Sequence, residues 1–175
     1  MKTTDEFEDR ENEDEAVESP SEMSQSDDPL IGTVFAEKYE IQSVIGAGGM
    51  STVYKARHMY MERIVAVKVL KKELVSNPLS RERFKKESKA ASVLSHPNII
   101  TVFDFGVDEN DTAFFVMDYL EGTTLGDVID GNGPLLESDA LIIYKQVLKG
   151  LVHAHNRHVI HRDLKPRNLV LTVED

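Results

Sequence analysis

The run Gly46-Ala47-Gly48-Gly49-Met50-Ser51-Thr52-Val53 narrows what this chain can fold into more than any other, because of what flanks it. Before it, Tyr39, Ile41 and Ser43 alternate with Glu40, Gln42 and Val44, the period of a half-buried strand. After it, Thr52 to His58 reads as a second strand. A dinucleotide-binding crossover needs a helix directly after its glycines, so the strand argues against that fold. A P-loop needs G-x-x-x-x-G-K-[ST], and the chain has none. What remains is a glycine cluster between two antiparallel strands. Taken alone it is a hairpin turn. Glycine also lets backbone amides approach phosphate oxygens with no Cβ in the way.

The strand pattern continues with Ile64 to Leu70, reached through a short connection containing Tyr60 and Met61. Asn77-Pro78 then interrupts, and Ser80 to Leu94 reads as a helix with Phe84, Glu87, Ala91 and Leu94 on one face. His96-Pro97-Asn98 breaks it. Ile99 to Phe105 and Ala113 to Tyr119 form a strand pair around the polar turn Glu109-Asn110-Asp111. Thr124 to Ile129 is a short helix. Glu137 to His155 is a longer one, with Ala140, Ile143, Val147, Leu151 and Ala154 along one side. Strands followed by one helix, two more strands and then helices make an α+β chain: an antiparallel five-stranded sheet with one packed helix, then a helical region.

Charge is distributed unevenly. Residues 1–30 hold twelve acids and two bases, whereas residues 31–175 hold 19 acids and 18 bases. The formal net charge of −11 therefore belongs to the N-terminal segment. With so few large apolar groups, residues 1–30 cannot offset the entropy of ordering and are expected to be a disordered acidic tail. Its serines would suit a phosphorylated regulatory tail, but the preferred reading is the plainer one, a solubilising leader or a wrongly chosen start. Residues 31–38 read as a connector. No basic patch for nucleic acid is visible. The chain has no cysteine, which excludes disulfides and cysteine-ligated zinc. No apolar run approaches the roughly 20 residues of a membrane span, and the acidic N-terminus is not a secretory signal. A cytoplasmic protein is expected, although a membrane anchor could lie beyond the end of this sequence.

Two further features carry chemistry. Lys68 stands inside the apolar run Val65-Ala66-Val67-Lys68-Val69-Leu70, on the face of Ala66 and Ile64 by alternation. An edge-strand lysine that discourages aggregation would look the same. Glu87 shifts the balance, because its place on the helix stripe implies a buried carboxylate in need of a cation. Lys68 is the natural partner. Near the end stands His161-Arg162-Asp163-Leu164-Lys165-Pro166-Arg167-Asn168. It puts a carboxylate, an ammonium and an amide on one short loop. Six specified residues at this spacing, after Lys68 and Glu87, are not a random polar loop.

The spacing H-R-D-L-x-x-x-N is that of a protein-kinase catalytic loop. From about Tyr39 to Asp175 the chain resembles the first part of a eukaryotic-type protein kinase domain. Lys165-Pro166 is similar to the serine/threonine class. The loop Gly48-Gly49-Met50-Ser51 with His96-Pro97-Asn98-Ile99 is most similar to bacterial serine/threonine kinases. The departure is Ser51, which stands where the glycine-rich loop has its last glycine. The resemblance implies a small lobe over 39–119, and a hinge with the start of a mainly helical large lobe over 120–175. It implies ATP and Mg²⁺ as cofactors and protein Ser/Thr hydroxyls as substrates. ATP would lie among Ile45, Gly46, Ala47, Gly48, Gly49, Met50, Ser51, Val53, Ala66, Lys68, Glu87, Met117, Asp118, Leu120 and Val170. The backbone of Asp118 and Leu120 would pair with the adenine edge, and Met117 would guard the back. Asp163 would accept the hydroxyl proton, Lys165 would balance charge on the phosphoryl group, and Asn168 would hold magnesium. Arg162 is suited to pair with a phosphate on a later loop.

Asp104-Phe105-Gly106 spells the kinase D-F-G, but it precedes the catalytic loop and ends an apolar strand, so coincidence is expected. The sequence stops soon after Leu169 to Val173, the expected start of the strand leading to D-F-G. The 175-residue chain is therefore expected to be truncated, weakly active or inactive alone, and marginally stable because helix 137–155 exposes apolar surface. A non-catalytic half-kinase module and a small-molecule phosphotransferase are the alternatives.

Overall fold

The computed structural model describes residues 28–172. A six-stranded antiparallel sheet runs β1 (Val34–Phe35), β2 (Tyr39–Ala47), β3 (Ser51–His58), β4 (Arg63–Leu70), β5 (Val102–Val107) and β6 (Ala113–Asp118), in spatial order β1-β2-β3-β4-β6-β5. The helix α1 (Pro78–Ser92) packs on it between β4 and β5. A second pair, β7 (Gly122–Thr124) and β8 (Val170–Thr172), brackets α2 (Leu125–Asn132) and α3 (Glu137–His155).

The sheet has one strand more than expected. β1 folds back through Ala36 and Glu37, at φ 48° and 58°, to pair with Tyr39 and Glu40. Left-handed backbone costs a non-glycine residue about 1 kcal/mol. Phe35 offsets this by entering the core, edge-on to Phe114 at 5.1 Å. The ordered unit also begins before the expected boundary at residue 30. Asp28 accepts hydrogen bonds from Leu30 N–H and from the Tyr54 hydroxyl, and Leu30 and Ile31 pack on the core. Residues 31–38 are thus part of the sheet layer, with Gly32 N–H and Thr33 C=O bonded to Ile41. The rest of the acidic tail, residues 1–27, lies outside the described residues.

Alternation along β4 separates two faces. Val65, Val67 and Val69 join Tyr39, Ile41, Tyr54, Phe114 and Val116 in one cluster, while Ala66 and Lys68 point the other way. Burial and its bond to Asp104 push the Tyr39 hydroxyl far above its usual pKa; burial and Asp28 do the same for Tyr54. On the α1 side, Phe84 meets Leu70, Val102, Ala113 and Phe115. Asn77 caps α1 by accepting from Leu79 and Ser80 N–H, and Pro78 occupies its first turn.

The α1 stripe is rotated from its expected phase. Ser80, Phe84 and Ser88 are the buried positions, and the Glu87 side chain is 47% exposed at the edge. Ser88 can be buried because its hydroxyl donates to Lys85 C=O. On α3, Ala140, Ile143, Val147 and Leu151 are half-buried and Ala154 is buried, the side expected. Leu141, Tyr144, Leu148 and Val152 face solvent, which matches the expected exposed apolar surface. Gly150 lets α3 approach the backbone at Asn98, where an added Cβ would lie 3.2 Å from the carbonyl oxygen. Asn98 also donates to Gln146, and Ser95 N–H donates to His153. Among the described residues no helix is long and apolar enough to cross a membrane.

Candidate functional site

The glycine cluster forms the tip joining β2 and β3. Gly46 pairs with Val53 and Ala47 with Thr52, and Gly48 N–H donates to Ser51 C=O across the turn at 2.9 Å. None of these glycines has positive φ. A Cβ on Gly49 would meet nothing within 4 Å, and one on Gly46 or Gly48 only ordinary contacts. Neither backbone conformation nor protein packing demands glycine here. What glycine leaves is open space beside the turn. Ile45 and Met50 are exposed beside it, and Ser51 is buried at the start of β3.

Lys68 stands opposite Val53 on one side and Phe115 on the other. Its Nζ lies 2.5 Å from Glu87 Oε1 and 5.4 Å from the Phe115 ring centroid. The structure therefore joins the expected lysine and glutamate, though not as a buried pair. At 23% and 47% side-chain exposure the pair adds little to stability. It holds an ammonium in one place with donors left over.

The strand Ala113–Asp118 holds Met117 and Asp118, two of the residues expected at a hinge. Met117 faces Ala66 across the sheet. Asp118 N–H donates to Thr101 C=O at 3.0 Å. Leu120 is exposed just beyond. The chain then enters β7, whose Gly122, Thr123 and Thr124 pair with Thr172, Leu171 and Val170. Leu125 N–H donates to Leu169 C=O at 2.7 Å. This pairing, which no sequence pattern announced, ties the segment after the catalytic loop to the end of the hinge.

Within the loop, Asn168 Nδ2 donates to the Asp163 carbonyl at 2.7 Å and to its carboxylate at 2.9 Å. Lys165 Nζ stands 3.2 Å from the other carboxylate oxygen. Because the Asn168 amide nitrogen is engaged, its oxygen is the free end, and a hard cation such as magnesium takes oxygen ligands. Arg162 adopts φ 63°, and His161 is exposed, so it is not a packed core histidine. Among the described residues no three His, Cys, Asp or Glu side chains form a metal cluster. Asp104 is occupied elsewhere: Tyr39 donates to it at 2.6 Å and Lys38 lies 3.7 Å away. Asp104-Phe105-Gly106 is a piece of β5 bound to the sheet, as expected of a coincidental match.

The hydrogen bond from Asn168, then that from Lys165, holds the Asp163 carboxyl below the usual aspartate range. The folded state favours the ionised form, so the network is present at neutral pH and is lost as pH falls through the lowered pKa. Carboxyl-carbon NMR should show Asp163 titrating below an ordinary aspartate, with Asn168→Ala moving the midpoint upward. An unmoved midpoint would remove Asn168 as the main cause.

Known proteins share this layout. The sequence profile of the protein kinase domain matches residues 39–175. The serine/threonine-protein kinase PrkC of Bacillus subtilis (strain 168) is 41% identical over 142 residues, covering 81% of this chain and 22% of PrkC. The serine/threonine-protein kinase pkn3 of Myxococcus xanthus is 42% identical over 144 residues, covering 82% and 26%. The chain thus spans about a quarter of these relatives' length. The crystal structure of the Mycobacterium tuberculosis PknI kinase domain aligns with a TM-score of 0.69 at 32% identity, covering 81% of this chain and 56% of that one. With a profile match over most of its length and the same fold, this chain belongs to the protein kinase family.

Proposed function

We propose that the chain carries the ATP-binding lobe and catalytic loop of a protein serine/threonine kinase. The reaction is transfer of the γ-phosphoryl group of ATP to a Ser or Thr hydroxyl. The observation that supports this most is the network around Asp163, which keeps an ionised carboxylate beside an ammonium and a free amide oxygen.

The residue roles follow from position. Ile45, Val53, Ala66, Met117, Leu120 and Val170 enclose the adenine and ribose. The Asp118 carbonyl and Leu120 N–H meet the adenine edge. Backbone amides of Gly46–Ser51 and the Lys68 ammonium hold the phosphates, with Glu87 fixing Lys68. Asp163 accepts a hydrogen bond from the substrate hydroxyl and takes its proton as oxygen attacks phosphorus. The bond to the bridging oxygen breaks and ADP leaves. Lys165 offsets negative charge on the phosphoryl oxygens. Magnesium, bound through the Asn168 oxygen, would neutralise phosphate charge.

Calorimetry with magnesium-ATP tests the site in the chain as it stands. Lys68→Met, which removes a charged hydrogen bond to phosphate, should weaken binding about tenfold. Equal affinity of wild type and Lys68→Met would count against a functional nucleotide site.

A further inference from the structure

The end of β6 is braced from the face that does not meet a nucleotide. Val65 lies opposite Asp118 in the β4–β6 register, and Ala66 lies opposite Met117. Side chains opposite each other share a face, so Asp118 points with Val65, away from Ala66, Met117 and Lys68. On that outer face Arg63 reaches diagonally across, its Nη2 2.8 Å from Asp118 Oδ1. The same guanidinium lies 4.5 Å from the ring centroid of Phe103. Phe103 is the extra residue of a bulge: Val102 pairs with Met117 and Asp104 with Val116, leaving Phe103 unpaired between them. A bulge re-aims the side chain it carries, and here the ring lies beneath Arg63. Thr101, two residues before the bulge, accepts the Asp118 N–H. Asp118 is therefore held at its carboxylate by β4 and at its amide by the lead-in to β5.

We infer that Arg63 is a positioning residue for purine recognition, acting through Asp118 and with Phe103 as its platform. The inference rests on the nucleotide reading above. If the Asp118 carbonyl meets the adenine edge, its direction depends on a side chain and an amide that are both tied down. Arg63 touches neither base nor phosphate. Lysine would not substitute fully, because a flat guanidinium both stacks on a ring and points an N–H along its edge.

The brace acts at the adenine end alone, which gives the test its discrimination. Binding of magnesium-ATP and of magnesium tripolyphosphate to the 1–175 chain is measured by calorimetry for wild type, Arg63→Ala, Asp118→Asn and the double substitution. Arg63→Ala should weaken ATP about fivefold, as expected for losing a half-exposed charged pair and a ring contact, and should leave tripolyphosphate unchanged. The double variant should be no weaker than the worse single one, since both remove one coupling. An unchanged ATP affinity in Arg63→Ala overturns the inference while leaving the nucleotide site intact. So does an equal loss for both ligands, which would mark a general loosening. Wild type that binds ATP no better than tripolyphosphate overturns the nucleotide reading, and this inference with it.

Discussion

Phe84→Ala is expected to lower the stability of the folded chain by about 3–5 kcal/mol, the range for removing a fully buried aromatic side chain. Phe84 is 1% exposed and is the main apolar side chain α1 places among Leu70, Val102, Ala113 and Phe115. Its ring lies 5.2 Å from that of Phe115. A domain of this size is stable by about 5–15 kcal/mol in total, so the loss is a large share. It falls on the contact that keeps Glu87 beside Lys68, so nucleotide affinity should fall too. Glu87→Gln makes the contrast. That half-exposed ion pair is worth below about 1 kcal/mol to stability, so this variant should unfold almost like wild type while binding ATP poorly. Phe84→Leu, which keeps most of the volume, should lie between. Urea unfolding followed by circular dichroism reads all three. If Phe84→Ala and Glu87→Gln cost the same, α1 is held by its charge pair and not by its core contact.

The same helix shows where sequence patterns lead and where they stop. The existence of α1 was legible from Asn77-Pro78 and the spacing of Phe84, Ala91 and Leu94. Its rotation was not, because two of its buried positions are Ser80 and Ser88. A count of apolar residues passes over serines such as Ser88, whose hydroxyl donates to Lys85 C=O, and it draws Glu87 into the stripe by default. The loop from His161 to Asn168 was legible for the opposite reason. Its contacts lie within a few residues, Asn168 to Asp163 and Lys165 to Asp163, so linear spacing implies spatial proximity. β1 was hidden because its turn uses Ala36 and Glu37 in left-handed backbone, where glycine or asparagine would have signalled it. The Arg63 brace was hidden because it needs a bulge at Phe103, and alternation cannot foresee an extra residue. Local chemistry was readable; contacts that depend on register or turn geometry were not.

Register also governs how the catalytic loop is held, and Gly122 is the position where it can be broken. Gly122 pairs with Thr172, and a Cβ there would lie 2.2 Å from the Leu171 carbonyl oxygen and 3.0 Å from its carbon. Both are backbone atoms, so no rotamer change relieves the clash; the strands must separate. Gly122→Ala is therefore expected to cost about 1–3 kcal/mol, as overpacking does. The larger effect is on placement. β8 begins two residues after Asn168, and Leu125 N–H donates to Leu169 C=O in the same contact. Moving this pair by about an ångström moves Asp163 and Asn168 relative to the hinge, and a misplacement of that size would slow the proposed phosphoryl transfer about a hundredfold. Amide hydrogen exchange should show Thr123 and Leu125 losing protection in Gly122→Ala, while the β3 and β4 amides keep theirs. Gly49→Ala is the control, since its Cβ meets nothing within 4 Å and should leave exchange and stability as in wild type. Retained protection at Thr123 in Gly122→Ala would mean that β7 and β8 are not pressed together as the geometry requires. The docking of the catalytic loop would then have to rest on α2, where Gly126 lies against Arg167.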